Sequence, residues 1–372
     1  MRGPRVVRHA HRVEQANLSL ADSTVLVTGG AGFIGCAIAE RLAPEVARWV
    51  VMDNLHPQVH ATQSRPAALH EAAELVVADV TDAAAWDALL ADVRPDVVVH
   101  LAAETGTAQS LSESSRHGLV NVVGTTQMLD GLTRADHLPA HFVLTSSRAI
   151  YGEGTWQRVD GTTYQPGART HAQLSAGEWD FADATHIPNS VITTTPNPSS
   201  VYGSTKLAQE HILRSWTGSR DARLSVLRLQ NVYGAGQSLS NPYTGIVSLF
   251  SRLARDGQSI PLYEDGEITR DFVYINDVAD ALVAAIRTPP VSLERTLDVG
   301  AGVRTTIRDL AVAVAAFHGA PEPHVTGQFR DGDVRHAACD VAHTVDNLDW
   351  SPQWTLEAGI ADLQGWIAAQ LD

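Results

Sequence analysis

From residue 23 to about residue 234 the chain alternates short β-branched apolar runs with longer stretches in which apolar positions recur every three or four residues. The runs Thr24–Thr28, Arg48–Asp53, Leu75–Val77, Asp96–Leu101, His141–Thr145 and Leu224–Leu229 predict strands. Several are apolar throughout their middle positions, the pattern of parallel strands covered on both faces. Ala37–Leu42, Ala83–Ala91 and Leu119–Leu132, rich in Ala and Leu, predict the helices between them. Strand and helix in alternation predict an α/β fold with a doubly wound parallel sheet over residues 21–234. Beyond Gly234 the elements shorten and mix, which predicts a smaller α/β lobe over 235–372, interleaved with the first domain. Its clearest helices are Asp277–Ile286, Ile307–Phe317 and Leu356–Leu371; Thr306 and Asp309 are spaced to form a capping box on the second.

Two stretches break the rhythm. Gly154–Pro198 is rich in Thr, Gly, Pro, Asn and Asp with little periodicity, and reads as an inserted, lid-like segment. Residues 1–20 carry four arginines against one glutamate and lack the apolar core of a secretory signal, so they read as a disordered basic extension.

Composition narrows the function. With 372 residues and 44% hydrophobic positions, the chain can bury a full core. A formal charge of −15 argues against nucleic acid as a partner, and no apolar run is long enough to cross a membrane. Two cysteines far apart supply neither a disulfide framework nor a thiolate zinc site, which points to the cytoplasm.

Gly29, Gly32 and Gly35 form a G-x-x-G-x-x-G run between the first strand and the first helix. Glycines there let the backbone turn tightly and approach a pyrophosphate, while the helix start offers free N–H groups to the anion. Eighteen residues on, the second strand ends in Asp53, whose carboxylate suits the two hydroxyls of an adenosine ribose and repels a 2′-phosphate. Neither Asn54 nor Leu55 is an arginine that would compensate, so NAD is favoured over NADP. Asp79 and Val80, after the third strand, are placed to cover the adenine.

Of 27 basic Lys and Arg residues only Lys206 is lysine, and it stands four residues after Tyr202. On a helix this spacing puts phenol and ammonium on one face, where a cation favours phenolate and so a general base nearer neutral pH.

Eight motifs in order now bear a resemblance. They are T-G-G-A-G-F-I-G (Thr28–Gly35), H-L-A-A (His100–Ala103), N-V-V-G-T (Asn121–Thr125), T-S-S-R-A-I-Y-G (Thr145–Gly152), Y-G-S-T-K (Tyr202–Lys206), N-V-Y-G (Asn231–Gly234), R-D-F-V-Y (Arg270–Tyr274) and G-D-V-R-H (Gly332–His336). From about Val25 onward the chain resembles the nucleotide-sugar epimerase/dehydratase branch of the extended short-chain dehydrogenase/reductases, a Rossmann-type superfamily. The resemblance implies a catalytic set of Ser147, Tyr202 and Lys206. It places Phe33, Ile34, Asn54, Leu101, Ala102, Ala103 and Asn121 around NAD with the glycines. It also puts Asn231, Arg270 and Arg330 on the diphosphate side of a nucleotide sugar, with Thr105, Gln109, Ser110, Ser147 and Asp333 among the substrate contacts, and implies a homodimer through paired helices.

Departures from the branch sharpen the chemistry. Similar 4,6-dehydratases carry Asp-Glu where Arg148 and Ala149 stand, sugar-nucleotide decarboxylases place Glu at Ala149, and cysteine-using 3,5-epimerases are excluded too. Ser, Tyr, Lys and NAD remain, the equipment of reversible oxidation at one carbon. D-N-L-H-P-Q-V-H (Asp53–His60), I-Y-G-E-G (Ile150–Gly154) and L-S-N-P-Y-T-G (Leu239–Gly245) look like the dTDP-L-rhamnose 4-epimerase-like group. Many of its members carry a cysteine-rich insertion at 154–198, where this chain has no Cys, and Gln230 replaces an aromatic residue usual in the branch. His56 and His60 sit in a Pro57 loop without further ligands, so no metal is expected. The reading is a nucleotide-sugar 4-epimerase; a dehydratase or dehydrogenase on the same scaffold and a non-catalytic NAD-sensing regulator are the alternatives.

Overall fold

Seven parallel strands form the central sheet: β1 (Thr24–Thr28), β2 (Arg48–Asp53), β3 (Ala73–Val77), β4 (Val97–His100), β5 (His141–Ser147), β6 (Arg223–Leu229) and β7 (Glu294–Val299), in the spatial order β7-β6-β5-β4-β1-β2-β3. The computed structural model describes residues 19–238 and 245–371. Most of the basic extension expected over 1–20, and Leu239–Ser240 with residues 241–244 of the L-S-N-P-Y-T-G motif, lie outside the described residues.

The inner strands are mostly apolar because they feed two cores, one on each face of the sheet. Along β1, Val25 and Val27 pack on one face with Ile38, Leu42, Val278 and Leu282, while Leu26 packs on the other with Trp86, Met128 and Leu132. The chain runs outward from β1 to β3, returns to β4 on the other side of β1 and runs outward again. The reversal leaves a crevice beyond the strand ends between β1 and β4, where doubly wound sheets bind ligands.

Residues after 234 are not confined to the smaller lobe. β7 pairs with β6 from Glu294↔Leu224 to Val299↔Leu229, and the helix Ile275–Arg287 packs on the helix Phe33–Leu42. A third core of Phe250, Ile260, Leu310, Val314 and Leu363 holds the smaller lobe itself. Its helix Ile307–His318 carries the predicted capping box: Thr306 Oγ1 accepts from the Asp309 N–H at 2.9 Å, and Asp309 Oδ2 accepts from the Thr306 N–H at 3.3 Å.

Two elements depart from expectation. The helix predicted over Leu119–Leu132 begins as a π-helical turn, Gly118–Val123, and becomes α-helical over Gly124–Arg134. The wider turn carries Asn121, whose amide is fixed by three polar partners described below; such turns cluster at functional sites. The segment 154–198 is not an aperiodic loop. It folds as a three-stranded antiparallel sheet, with Thr155–Arg158 between Thr163–Tyr164 and Ala184–Ile187, and a short helix His171–Ser175. Trp156 is its core, edge-on to Phe181 and His186.

Buried charges tie this insertion to the smaller lobe. Arg169 bonds Glu264 at 2.9 Å and Glu153 at 3.3 Å, and Arg335 bonds Glu264 at 2.9 Å, Asp265 at 2.7 Å and Asp180 at 3.1 Å. The Arg335 and His336 partners hold the Asp180 carboxyl far below the usual carboxylate range.

Candidate active site

A cleft of about 460 Å³ opens at the reversal of strand order, lined by residues from the ends of β1, β2, β4, β5 and β6 and from the helix Val201–Gly218. At its floor Gly29 has φ 66°, and a Cβ there would lie 2.7 Å from the Ala102 backbone N; a Cβ on Gly35 would lie 2.3 Å from the Gly30 carbonyl oxygen. The turn therefore presses against the end of β4 and against its own helix as only glycine allows. Gly32 caps the helix Phe33–Leu42 without a side chain, and Gly32, Phe33 and Ile34 line the cleft, which leaves the first N–H groups for an anion. Asp53 ends β2 buried at the cleft edge. Its Oδ2 accepts from the Ala31 N–H at 3.1 Å and its Oδ1 from the Leu55 N–H at 2.9 Å, so it fixes the glycine turn.

Ser200 caps the helix Val201–Gly218, its hydroxyl accepting from the Gly203 N–H at 3.0 Å, so Tyr202 and Lys206 stand one above the other in the first turns. Both are buried and both line the cleft with Ser147, at the end of β5. Burial pushes the Tyr202 phenol up, while a hydrogen bond with Ser147 and the charge of Arg148 pull it down. Arg148 is thus a cation beside the phenol that the spacing argument did not consider. Lys206 Nζ donates to Gln209 Oε1 at 2.5 Å, and burial pushes its ammonium down to about 7. Gln209 in turn donates to Thr125 Oγ1 at 2.9 Å beside His100, whose ring burial holds neutral, down at about 3. Arg148 Nε donates to Asn231 Oδ1 at 2.7 Å; burial first, then Arg270, lowers its guanidinium.

The NAD dependent epimerase/dehydratase family pattern matches residues 25–300, nearly three quarters of the chain. The chain belongs to that family. It is 61% identical over 361 residues to the dTDP-L-rhamnose 4-epimerase of Burkholderia thailandensis, covering 97% of this chain and 99% of the relative. It is 31% identical to the UDP-glucose 4-epimerase of Mycolicibacterium smegmatis, over 90% of this chain and 96% of the relative. Among solved structures it resembles the Thermotoga maritima UDP-glucose 4-epimerase with UDP-glucose (TM-score 0.77, 27% identity, 94% and 100% coverage) and the Thermus thermophilus UDP-glucose 4-epimerase with NAD (0.73, 27%, 93% and 99%).

The cofactor of this epimerase/dehydratase family member is NAD, and the cleft fits it. The glycine turn has no room for a Cβ, the helix start is uncapped, and Asp53 lines the edge where a 2′-phosphate would need a cation. The cleft-lining Arg and Lys side chains are elsewhere, Arg148 and Lys206 beside Tyr202 and Arg116 in pairs with Glu104 and Glu113, and the basic side chain at Asp53 is His60, at 3.7 Å. Asn54, Val80, Leu101, Ala102, Ala103, Thr105 and Asn231 line the cleft as the motifs implied.

Other expected residues do not line it. Asp79 accepts from Asn54 Nδ2 at 2.9 Å and from the Thr81 N–H at 2.8 Å, so it folds the loop after β3. Asn121 is fully buried; its Oδ1 accepts from the Glu104 N–H and its Nδ2 donates to the Glu104 carbonyl and to Thr205 Oγ1, which positions the loop after β4 against the helix Val201–Gly218. Gln109 bonds Gln58 and Glu113. Ser110 Oγ accepts from the Tyr202 N–H at 3.1 Å, a contact to the helix and not to the cleft. Arg270 is buried and paired with Asp333 at 2.9 Å, so its charge is already matched. Arg330 is exposed, its guanidinium over the Tyr263 ring at 4.9 Å. Nor does any residue of 155–198 line the cleft among the described residues. Arg148 and Gln230 do line it; the sequence signalled both only as departures from the branch.

Proposed function

We propose that the protein is an NAD-dependent nucleotide-sugar 4-epimerase whose substrate is dTDP-L-rhamnose or its C4 epimer. The observation that carries the reaction is the meeting of Ser147, Tyr202 and Lys206 in one cleft with the glycine turn, beside Arg148 and Ala149 and without an acid pair. The 61% identity over 97% of the chain to a dTDP-L-rhamnose 4-epimerase supports the substrate. NAD, when bound, supplies a reversible hydride acceptor for C4. Tyr202 Oη takes the proton of the 4-hydroxyl and returns it at the end of the cycle. The Ser147 hydroxyl, already a hydrogen-bond partner of Tyr202, holds the same oxygen, and Arg148 stabilises the phenolate between the two proton transfers. Lys206 holds the ribose next to the reacting ring.

A homodimer in the cytoplasm completes the proposal. Leu111, Leu119 and Val123, exposed along the 109–123 helices, support an interface there.

The test uses substrate deuterated at C4. The product is expected to keep that deuterium, match the substrate in mass and differ only at C4; in heavy water no carbon-bound deuterium appears at C5. A product lighter by water, or labelled at C5, would make the protein a dehydratase, and accumulating NADH would make it a dehydrogenase.

A further inference from the structure

Gln230 follows the last residue of β6, whose neighbour across the sheet is Ser147, so its position is one step from the catalytic serine. Its backbone N–H donates to the Val299 carbonyl at 2.9 Å, which fixes the residue in the sheet. Gly300 makes room for the side chain, since a Cβ there would lie 2.7 Å from Gln230 Cγ. Gln230 lines the cleft, only 5% exposed, and neither its Oε1 nor its Nε2 has a hydrogen-bond partner. A buried amide without partners is costly, and native proteins rarely leave both ends of one unmatched. Such a group in a binding cleft is matched when the ligand arrives.

We infer that Gln230 is a specificity-determining residue that reads the ring hydroxyls of the hexose, one end of its amide donating and the other accepting. The chemistry selects a group that both donates and accepts, as hydroxyls do. A carboxylate or phosphate offers only acceptors and would leave Oε1 unmatched, whereas a pair of hydroxyls offers both roles. The position selects the sugar, because Gln230 follows β6 beside Ser147 on the neighbouring β5, whereas Asp53 ends β2, four strands away. In a 6-deoxyhexose the free hydroxyls other than the one at C4 are those at C2 and C3. The inference rests on the 4-epimerase reading for the placement of C4 at Tyr202.

The experiment compares the wild-type enzyme with Gln230→Leu and Gln230→Met, on dTDP-L-rhamnose and on its 2-deoxy and 3-deoxy analogues. NAD content and melting temperature are measured alongside. For the wild type, removing a hydroxyl that Gln230 reads is expected to lower kcat/KM about 10- to 100-fold. Both variants should lose about as much on dTDP-L-rhamnose itself and then discriminate little further against that analogue. They should keep full NAD content and melt no lower than the wild type, because no protein partner of the amide is lost. Unchanged kcat/KM in the variants, full discrimination against both analogues surviving in them, or a lower melting temperature would each overturn the inference. Failure of the wild type to epimerise dTDP-L-rhamnose is a separate result that sinks the function reading. The Gln230 comparison is then read from dissociation constants of the same nucleotide sugars by calorimetry, where equal values in wild type and variants, or no binding at all, overturn it.

Discussion

Replacing Lys206 with methionine is expected to stabilise the NAD-free protein while it removes turnover. The ammonium is buried, and burial lowers it from its ordinary 10.5 to about 7. Between pH 7 and 10 the unfolded chain therefore binds a proton that the folded chain does not, and stability rises with pH across that window. At 1.36 kcal/mol per pH unit, the buried amine costs on the order of 4 kcal/mol at pH 7. Methionine fills a similar volume without charge, but it leaves Gln209 Oε1 without its donor, which returns about 1–2 kcal/mol. The net gain is about 2–3 kcal/mol. With an unfolding entropy of about 2.1 cal/mol/K per residue, that raises the melting temperature by roughly 3–4 °C. Calorimetry of NAD-stripped wild type and Lys206→Met at pH 7 and pH 10 checks it: the two should differ at pH 7 and converge toward pH 10 as the wild type gains. A variant that melts below the wild type at pH 7, or curves that stay parallel in pH, would refute the argument that the amine is held against its solvation.

Tyr202→Phe should lower kcat about 10²–10⁴-fold with NAD still bound, since one hydroxyl is removed from the general base; near-normal turnover would assign the proton to another group. Asp53→Asn should narrow the preference for NAD over NADP by about tenfold or more, as the charge opposing a 2′-phosphate is lost, read from the two dissociation constants. Arg335→Ala leaves the buried Glu264 with Arg169 alone and takes the shared guanidinium from Asp180 and Asp265, and should cost roughly 3 kcal/mol and open residues 155–187 to limited proteolysis, while NAD affinity holds.

The sheet was legible because its strands are apolar on both faces, a pattern that survives without knowledge of neighbours. β7 was missed: Glu294, Arg295 and Thr296 are polar and half-exposed at the sheet edge and Asp298 is a carboxylate, so only Leu297 and Val299 of its six residues carry the core signal. The insertion was illegible for another reason. Its strands are two to four residues long, and it is held by pairs such as Arg169–Glu264 and Asp180–Arg335, whose members lie 95 and 155 residues apart. In the site, the residues read correctly into the cleft are those whose chemistry is local: the glycine turn, Asp53 at a strand end, and Tyr202 and Lys206 on one helical face. Asp79 was placed by its position after the third strand, and Gln109 and Ser110 by the family resemblance, yet each spends its polar atoms on the protein's own backbone or side chains. The pairing of Arg270 with Asp333 was not legible either, because that carboxylate arrives from 63 residues away.

Lys206, as the sequence's lone lysine, also sets how the protein meets amine-directed chemistry. Succinimidyl dyes, aldehyde fixatives and amine-coupled sensor chips find no side-chain amine on its surface, and the one they can reach lies at the bottom of the cofactor cleft. Coupling through side-chain amines is therefore active-site modification, which bound NAD should slow. An isotopic methyl group placed there would give a single side-chain resonance, a built-in reporter of what occupies the cleft.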